Sequence, residues 1–332
     1  MLFVDSGGGT DAHANLALEE HVLRQLMGAD DLLLFYVNAP AIIIGRNQNT
    51  IEEIADDAVQ ARGIHVVRRI SGGGAVYHDL GNLNFSFMTR DVSGRFNRYD
   101  TFNRPVVEAL RALGVPAEMG GRNDILVAGR KISGNAQFAS GDRMLSHGTL
   151  LLNSDLDAVS VALRPRPGKV ESKGVKSVRS RVANIGEFLA APITVDELRD
   201  RILEQIFGTR DRTKIPTLPL GPEDRAAAEL LRASKYGTWE WNYGENPTSN
   251  VQRSQRFAAG EIDARLDIHD GQIAGVRIFG DYLGRVDVGE LEARLRGLPY
   301  TREAVAAALD VQGTANYFGD ISREEVLGVL AP

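Results

Sequence analysis

The spacing of apolar residues predicts a chain built from both strands and helices. Residues 82–89 alternate, with Leu83, Phe85 and Phe87 on one face and polar side chains on the other, as in a half-buried strand of an antiparallel sheet. Asp11 to Met27 carries apolar residues at helical spacing and predicts the first helix. Further strands are predicted at 32–37, 41–44, 65–69, 125–127, 131–138 and 144–152, and further helices at 52–62, 101–113 and 194–207.

A second, smaller α+β unit is predicted at the end of the chain. Glu261–Ile268 and Gln272–Phe279 flank an Asp-Gly turn, which is a strong hairpin signal. Helices are predicted near 288–295, 302–309 and 324–329. Three prolines make residues 210–222 a connector. We therefore expect two domains, a large one at residues 1–246 and a small accessory one at residues 247–332.

Composition and charge exclude several classes of protein. Lys and Arg total 38 and Asp and Glu total 44, for a formal net charge of −6, whereas nucleic-acid binders are usually basic. The longest apolar runs are far shorter than the roughly 20 residues that span a bilayer. We therefore expect neither a nucleic-acid nor a membrane partner. The sequence has no cysteine, which excludes disulfides, thiolate metal sites and cysteine nucleophiles. Met1 to Thr10 lacks the features of a secretory signal, so we expect a cytoplasmic protein.

The most informative motif runs from Arg68 to Asp79 and has the sequence Arg-Arg-Ile-Ser-Gly-Gly-Gly-Ala-Val-Tyr-His-Asp. Its three glycines, residues 72–74, are called the glycine ribbon below. Consecutive glycines cost backbone entropy, but they let a ligand approach backbone N–H groups that can bind an anion. The two arginines have a geometry that suits phosphate or carboxylate. A glycine-rich hairpin turn is the alternative, and the charged neighbours favour a ligand-binding loop.

Two further segments supply candidate polar groups. Lys131 begins a predicted strand beside small residues, so its ammonium could stabilise charge on phosphoryl or carboxyl oxygens; an exposed edge-strand lysine is an equal alternative. Asp124 could bind a divalent cation, or simply form a turn with Asn123. The glycine in His147-Gly148-Thr149 indicates close packing against a ligand or another backbone, or a bulge in a core strand.

A basic segment, residues 164–181, holds seven basic residues against the single acid Glu171. In an acidic protein it is a candidate binding site for a triphosphate or an acidic partner. A solvated loop is the alternative. The centre of the segment has the sequence Lys173-Gly174-Val175-Lys176-Ser177-Val178-Arg179-Ser180-Arg181.

Taken together and in this order, these motifs resemble those of the lipoate–protein ligase A family, in the biotin/lipoate ligase superfamily. The likeness rests on the glycine-ribbon motif and on Gly-Arg-Asn-Asp, Arg-Lys-Ile-Ser-Gly, His-Gly-Thr-Leu-Leu and Lys-Gly-Val-Lys-Ser-Val-Arg-Ser-Arg-Val. The C-terminal unit is similar to the family's small accessory domain. The resemblance implies an α+β fold whose mixed, largely antiparallel sheet has flanking helices, as in biotin ligases and class II aminoacyl-tRNA synthetases.

The resemblance also implies an activity. The enzyme would join lipoate to ATP with Mg²⁺, giving lipoyl-AMP and pyrophosphate, and would then pass the lipoyl group to a lysine of a lipoyl domain. Acceptors in the family are the acyltransferase subunits of 2-oxoacid dehydrogenases and the glycine-cleavage H protein. We expect the enzyme to be a monomer.

Each motif then has an implied role. Lys131 would be catalytic and would contact both the lipoate carboxylate and the α-phosphate, and Asp124 would bind the metal. The residues expected to bind ATP or lipoate are Arg69, Ser71, Gly72, Gly73, Gly74, Ala75, Val76, Tyr77, His78, Asn123, His147, Gly148 and Thr149. The residues expected to form an adenylate-binding loop are Lys173, Gly174, Lys176, Ser177, Val178 and Arg179.

The same residues bear on alternatives within and outside the superfamily. Related octanoyltransferases use a cysteine, which this chain lacks, and a biotin ligase would show a Gly-Arg-Gly-Arg-type loop in place of Ser-Gly-Gly-Gly. An octanoate- or other acyl-preferring member and a non-catalytic lipoate- or nucleotide-binding module stay open as alternatives. For the general base of the transfer step, His78 and His147 are weak candidates.

Overall fold

The computed structural model describes residues 1–90, 92–163, 181–244 and 249–332. Over these ranges the strands are β1 (Leu2–Asp5), β2 (Leu32–Tyr36), β3 (Ala41–Ile44), β4 (His65–Arg68), β5 (Val76–His78), β6 (Asn82–Arg90), β7 (Glu118–Gly120), β8 (Asp124–Val127), β9 (Arg130–Ser140), β10 (Arg143–Leu151), β11 (Thr217–Leu218), β12 (Val251–Phe257), β13 (Gly260–His269) and β14 (Gln272–Gly280). The α-helices are α1 (Ala12–His21), α2 (Thr50–Glu53), α3 (Asp56–Ala61), α4 (Val92–Arg95), α5 (Tyr99–Ala112), α6 (Leu156–Ala162), α7 (Val195–Phe207), α8 (Pro222–Leu231), α9 (Trp239–Asn242), α10 (Gly289–Leu295), α11 (Arg302–Asp310), α12 (Thr314–Phe318) and α13 (Arg323–Leu330).

A mixed, largely antiparallel sheet organises the large unit. Its strand order is β11-β1-β2-β6-β10-β9-β8-β7. The two contacts of β1 are parallel, and every pair from β2 to β7 is antiparallel. A smaller sheet, β4-β3-β5, carries the residues on either side of the glycine ribbon. With its flanking helices, the chain has the predicted α+β fold.

The first helix lies where the sequence predicts it, because a cap stabilises its start. The Asp11 carboxylate accepts a hydrogen bond from the His13 N–H at 2.8 Å, which satisfies a donor that the first turn leaves free. Beyond α1, a π-helical turn at Val22–Leu26 continues the element. Helix α7 likewise begins with a capping box between Thr194 and Glu197.

Strand β6 is more buried than its alternating pattern predicts. The polar residues Asn82, Asn84 and Ser86 are buried as fully as the phenylalanines between them. Ser86 donates a hydrogen bond to Glu19 of α1, and Asn84 donates to the Tyr36 carbonyl at 3.2 Å. The polar face of the strand therefore faces protein rather than water, and its side chains bond to buried partners.

Two other predictions need correction. The helix predicted at 52–62 is two short helices, α2 and α3, separated where Ile54 pairs with Leu163. The connector at 210–222 contains β11, which joins the edge of the large sheet, and Pro222 begins α8. Pro at the first helical position has no N–H to leave unsatisfied, so here it starts a helix rather than ending one.

The C-terminal unit forms its own antiparallel sheet, β12-β13-β14. Asp270 and Gly271 both have positive φ at the turn between β13 and β14, as a tight hairpin turn requires. Residues of this sheet and of α10 to α13 share a separate apolar cluster. Strand β12 and helix α12 were not predicted. The expected domain boundary at 246–247 lies outside the described residues, so it stays a proposal.

None of the described helices is both long and apolar enough to cross a membrane.

Candidate functional site

The predicted motifs of the large unit converge on one cavity of about 370 Å³. Gly73 and Gly74 of the ribbon line it, and so does Lys131 of β9. The predicted residues along its wall are Arg69, Gly73, Gly74, Ala75, Val76, His78, Asn123, Asp124, Lys131, His147, Gly148 and Thr149. Segments more than 70 positions apart in sequence therefore meet where a ligand could contact all of them.

The guanidinium of Arg69 holds the ribbon in place from beneath. Its Nη2 donates to the carbonyl oxygens of Gly72 and Gly74 at 2.6 and 2.9 Å, and its Nε donates to Ser71 Oγ at 3.0 Å. Burial lowers the pKa of Arg69 to about 10, so the group stays charged at neutral pH. This buried positive charge lies at the cavity wall and would favour an anionic ligand.

The side chain of the neighbouring Arg68 forms its hydrogen bonds inside the protein instead. Its guanidinium donates to the carbonyl oxygens of Gly45, Gln48 and Trp241. The backbone N–H of Arg68 donates to Asn242 Oδ1 at 2.8 Å. The expectation that both arginines suit an anionic ligand is thus wrong for Arg68, whose donors bind the 239–244 segment to the large unit.

The three ribbon glycines differ in what surrounds them, and only two of them have a structural reason to be glycine. A Cβ on Gly72 would lie 2.5 Å from the Tyr282 carbonyl oxygen of the C-terminal unit. Gly73 has φ +88°, which side chains other than glycine rarely adopt, and its N–H donates to the same carbonyl at 3.3 Å. Gly74 has open space where a Cβ would be. Close approach to the C-terminal unit explains Gly72, and only Gly74 leaves room towards the cavity.

Lys131 reaches the cavity across a glycine. A Cβ on Gly134 would lie 2.7 Å from Lys131 Nζ, so the small residue predicted beside the lysine makes room for its side chain. Lys131 Nζ forms an ion pair with Asp124 Oδ1 at 2.7 Å, and both side chains are about one-third exposed. The alternative of an edge-strand lysine in bulk water does not hold.

The backbone of Lys131 also anchors the chain that follows the basic segment. Its N–H donates to the Arg181 carbonyl at 2.7 Å, and its carbonyl accepts from the Ala183 N–H at 2.9 Å. The predicted loop residues Lys173, Gly174, Lys176, Ser177, Val178 and Arg179 lie outside the described residues. Their proposed role stays a prediction, but the chain re-enters the described structure beside the predicted catalytic lysine.

His147 is held between two buried partners. Its Nδ1 lies 3.0 Å from Glu19 Oε1, and its Nε2 lies 2.6 Å from Ser71 Oγ. Glu19 also accepts from Tyr36 Oη at 3.2 Å. With Arg69, these groups form a buried chain of hydrogen bonds that ends under the ribbon. The chain can set the position of the ribbon, and both ring nitrogens of His147 are used in it.

His78 lines the cavity and is almost fully buried. Burial, together with the electrostatic effect of the nearby Arg69 and His147, lowers its pKa to about 3. The ring is therefore neutral at physiological pH, and a group with so low a pKa is a weak base. This disfavours His78 as the general base that the sequence left open.

Asn123 and Asn135 form a reciprocal pair on the cavity wall. Asn123 Nδ2 donates to the Asn135 carbonyl at 2.5 Å, and Asn135 Nδ2 donates to the Asn123 carbonyl at 2.9 Å. A Cβ on Gly148 would lie 2.0 Å from Asn135 Oδ1. Close packing therefore explains Gly148, while Thr149 accepts from the Gly134 N–H at 3.3 Å.

Three predicted site residues lie away from the cavity wall. Ser71 is fully buried beneath the ribbon, and Gly72 faces the C-terminal unit. Tyr77 packs in a separate apolar cluster with Ile42 and Ile54, because it alternates with Val76 and His78 along β5 and points to the other face. For Tyr77, a direct contact with a ligand in this cavity is not supported.

Sequence reasoning missed residues on two sides of the cavity. Arg256, Asp281 and Leu283 of the C-terminal unit complete its wall, as do Leu16 and Tyr36 of the large unit. The buried Glu19 behind them was also missed. Glu19 lies three positions after Leu16 and four before Leu23, so an acid on the apolar face of the predicted helix was an available signal, whereas the C-terminal residues carry no motif.

The residues at the cavity could bind a divalent cation only together with a bound phosphate. Among the described residues there is no group of three or more His, Asp or Glu that could enclose a metal. Mg²⁺, however, is commonly bound by one or two carboxylates together with substrate phosphates. Asp124 offers such a carboxylate at the wall of the cavity, so it fits a cation shared with a bound phosphate.

Known protein families match both units of the chain. Residues 11–207 match the family model of the lipoyl protein ligase A/B catalytic domain, and residues 246–330 match that of the bacterial lipoate protein ligase C-terminus. The lipoate–protein ligase LplJ of Bacillus subtilis is 48% identical over 330 residues, 99% of this chain and 100% of the relative.

Two solved structures are similar to about three quarters of this chain. One is a bipartite lipoate–protein ligase of Thermoplasma acidophilum, described with its E2 lipoyl domain, which is 32% identical with a TM-score of 0.65 over 75% of this chain and 98% of that one. The other is a lipoate–protein ligase A bound with ATP, 31% identical with a TM-score of 0.59 over 74% of this chain and 97% of that one.

Proposed function

This chain belongs to the lipoyl protein ligase A/B family and is a ligase, and from that premise we propose that it activates lipoate with ATP and transfers it to lipoyl domains. In the first step a lipoate carboxylate oxygen attacks the α-phosphorus of ATP, and pyrophosphate leaves. In the second, the neutral amine of an acceptor lysine attacks the acyl carbon of lipoyl-AMP, and AMP leaves.

The observation that carries this proposal is the shared cavity of Lys131 and the ribbon. Attack of a carboxylate on a phosphate brings two anions together and spreads charge over phosphoryl oxygens, so fixed cations at the site stabilise the transition state. Lys131 and Arg69 supply two such charges. Lys131 would exchange its bond with Asp124 for one with the bound acid or the α-phosphate.

Asp124 would then hold Mg²⁺ together with the triphosphate. The cation would neutralise charge on the phosphate oxygens. Asp124 is already within bonding distance of Lys131, so the carboxylate and the ammonium can both face the same polyphosphate. The basic segment at 164–181, with its predicted adenylate-binding loop, is proposed to cover the reactive anhydride and exclude water.

The apolar part of the cavity suits the tail of the acid. Leu16, Tyr36 and Ile43 line it and belong to one core cluster, against which Val76 packs. An apolar slot with a few polar groups is the usual form of a small-molecule site. The acceptors are proposed to be lipoyl domains of 2-oxoacid dehydrogenase acyltransferase subunits and the glycine-cleavage H protein, with the enzyme a cytoplasmic monomer.

Mass spectrometry of a lipoyl domain incubated with the enzyme, lipoate, ATP and Mg²⁺ tests this function. We expect a shift by the mass of one lipoyl group at one lysine, and no shift without ATP. Release of pyrophosphate without any acceptor would confirm the first step separately. A protein that binds lipoate but neither releases pyrophosphate nor modifies the domain would be the non-catalytic binding module instead.

A further inference from the structure

The buried amides of α1 and of the loop after β2 determine which nitrogen of His78 carries its proton. Asn15 Nδ2 donates to Asn38 Oδ1 at 2.9 Å. The other side of the Asn38 amide, its Nδ2 donor, therefore faces His78 Nδ1, at 3.0 Å. Nδ1 accepts this bond, and a neutral imidazole has one donor and one acceptor nitrogen. The proton of His78 thus lies on Nε2.

That Nε2–H has no hydrogen-bond partner among the described residues, and the atom is buried. His78 is only 3% exposed, and its side chain lines the cavity. A buried donor without a partner is costly, and such donors in folded proteins are usually bonded to a ligand or an ordered water. The donor is therefore available to a ligand in the cavity.

His78 shares the wall of the cavity with the apolar residues Leu16, Tyr36 and Ile43. It is on the same face of β5 as Val76, which packs against the cluster of Leu16 and Tyr36. Tyr36 pairs with Asn84, and Asn84 with Thr149, so β2 is separated from β9 and Lys131 by β6 and β10. Three strand spacings place Tyr36 about 14 Å from the strand of Lys131. An acid whose carboxylate meets Lys131 would have its tail against the apolar cluster of Leu16 and Tyr36, on which Val76 packs, and His78 lies on the same face of β5 as Val76.

We propose that the Nε2–H of His78 donates a hydrogen bond to a ring sulfur of the bound lipoate and thereby selects lipoate over octanoate. This inference rests on the proposed function and names the substrate preference of the same site. Octanoate is an acid of the same chain length whose tail ends in a methyl group. Sulfur is a weak acceptor, whereas a methyl group is none and would leave the donor unpaired.

Affinities of lipoate and octanoate, measured by calorimetry, test the selection. Wild-type protein should bind lipoate more tightly than octanoate. His78→Phe keeps an aromatic ring but removes the donor, and we expect the ratio of the two affinities to fall about tenfold, equivalent to about 1.4 kcal/mol. His78→Gln places an amide N–H near the position of Nε2, and the ratio should stay within about twofold of that of the wild type.

Several outcomes would overturn the proposal. In His78→Phe the two affinities could fall equally, which would show a general positioning role, or ATP affinity alone could fall, which would place His78 at the nucleotide. Equal wild-type affinity for both acids would overturn the selection while leaving the ligase activity in place. Failure to modify a lipoyl domain with either acid would instead remove the proposed function.

A measurement on the wild-type protein covers the case in which a variant does not fold. Nitrogen-15 spectra of the histidine rings report which nitrogen is protonated and whether its proton is hydrogen-bonded. We expect the His78 Nε2–H signal to shift on addition of lipoate and to shift far less with octanoate. Equal shifts with both acids, or a proton on Nδ1, would contradict the proposal.

Discussion

The ammonium of Lys131 lies 2.7 Å from the carboxylate of Asp124, at the wall of the cavity that the glycine ribbon also lines. An ion pair that is one-third exposed contributes little to stability, usually below about 1 kcal/mol. Its position therefore matters more than its strength. The pair holds a positive and a negative group where a carboxylate, a phosphate and a divalent cation are proposed to meet.

Replacing Lys131 should remove activity and leave the fold intact. We expect Lys131→Ala to lower the rate of pyrophosphate release at least 100-fold, since loss of a single group that stabilises developing charge commonly has this effect. The free energy of unfolding should change by less than about 1 kcal/mol. Lys214→Ala is a matched control, because Lys214 is an exposed lysine that pairs with Asp211 and does not line the cavity. A rate within tenfold of the wild type in Lys131→Ala would refute the role of the lysine.

Substitution of Gly74 tests whether the ribbon borders the lipoate slot, whereas substitution of Gly73 does not. Valine at Gly73 would be strained by the positive φ and would press on Arg69, so a loss of binding there could reflect the fold alone. Gly74→Val adds its side chain in open space at the cavity wall. We expect a normal melting temperature and at least a tenfold loss of lipoate affinity by calorimetry. The control Gly9→Val, also in open space, should retain affinity; unchanged affinity in Gly74→Val would count against the slot.

We expect Gly148 to affect the stability of the protein through close packing. An alanine there would bring its Cβ to 2.0 Å from Asn135 Oδ1 and 2.6 Å from the ring of Phe85, so Gly148→Ala should lower the free energy of unfolding by about 1–3 kcal/mol. Gly28→Ala, which meets no atom within 4 Å, is the control and should change stability little. Urea denaturation measures both variants. Equal stability of Gly148→Ala and the wild type would show that strand β10 relaxes easily.

Protonation of the unfolded chain at His78 should make stability depend on pH. The pKa of His78 is about 3 in the folded protein, against an ordinary value of 6.5. The unfolded chain therefore binds the proton more readily, so the contribution of the neutral ring is complete above pH 6.5 and is lost progressively as pH falls towards 3. Between pH 7.5 and pH 5, the wild type should lose about 2 kcal/mol more unfolding free energy than His78→Gln. Parallel losses in the two proteins would mean that His78 is not the group responsible.

Local signals in the sequence predicted much of the fold and of the site. Apolar spacing gave β6, α5 and the hairpin of the C-terminal unit, and the helices predicted from Asp11 and Thr194 begin one residue later, as α1 and α7. At the site, small residues beside Lys131 correctly indicated room for its side chain. These features depend on a few neighbouring residues, which is why the sequence alone shows them.

The remaining features of the site depend on contacts between residues that are distant in sequence. The arginines of the ribbon motif look alike in sequence, yet Arg68 bonds to carbonyl oxygens of a distant segment and Arg69 to the ribbon itself. Gly72 is small because Tyr282, more than 200 positions later, packs against it. Nothing near these residues in the sequence reveals such partners, so the contribution of the C-terminal unit to the cavity could not be predicted.

A crystal structure with lipoate and a non-hydrolysable ATP analogue tests the central claim most directly. We predict that Lys131 Nζ leaves Asp124 and lies about 3 Å from an oxygen of the lipoate carboxylate or the α-phosphate, with the tail along Val76 towards Leu16. Electron density that places both ligands outside this cavity, with Lys131 still bound to Asp124, would contradict the account.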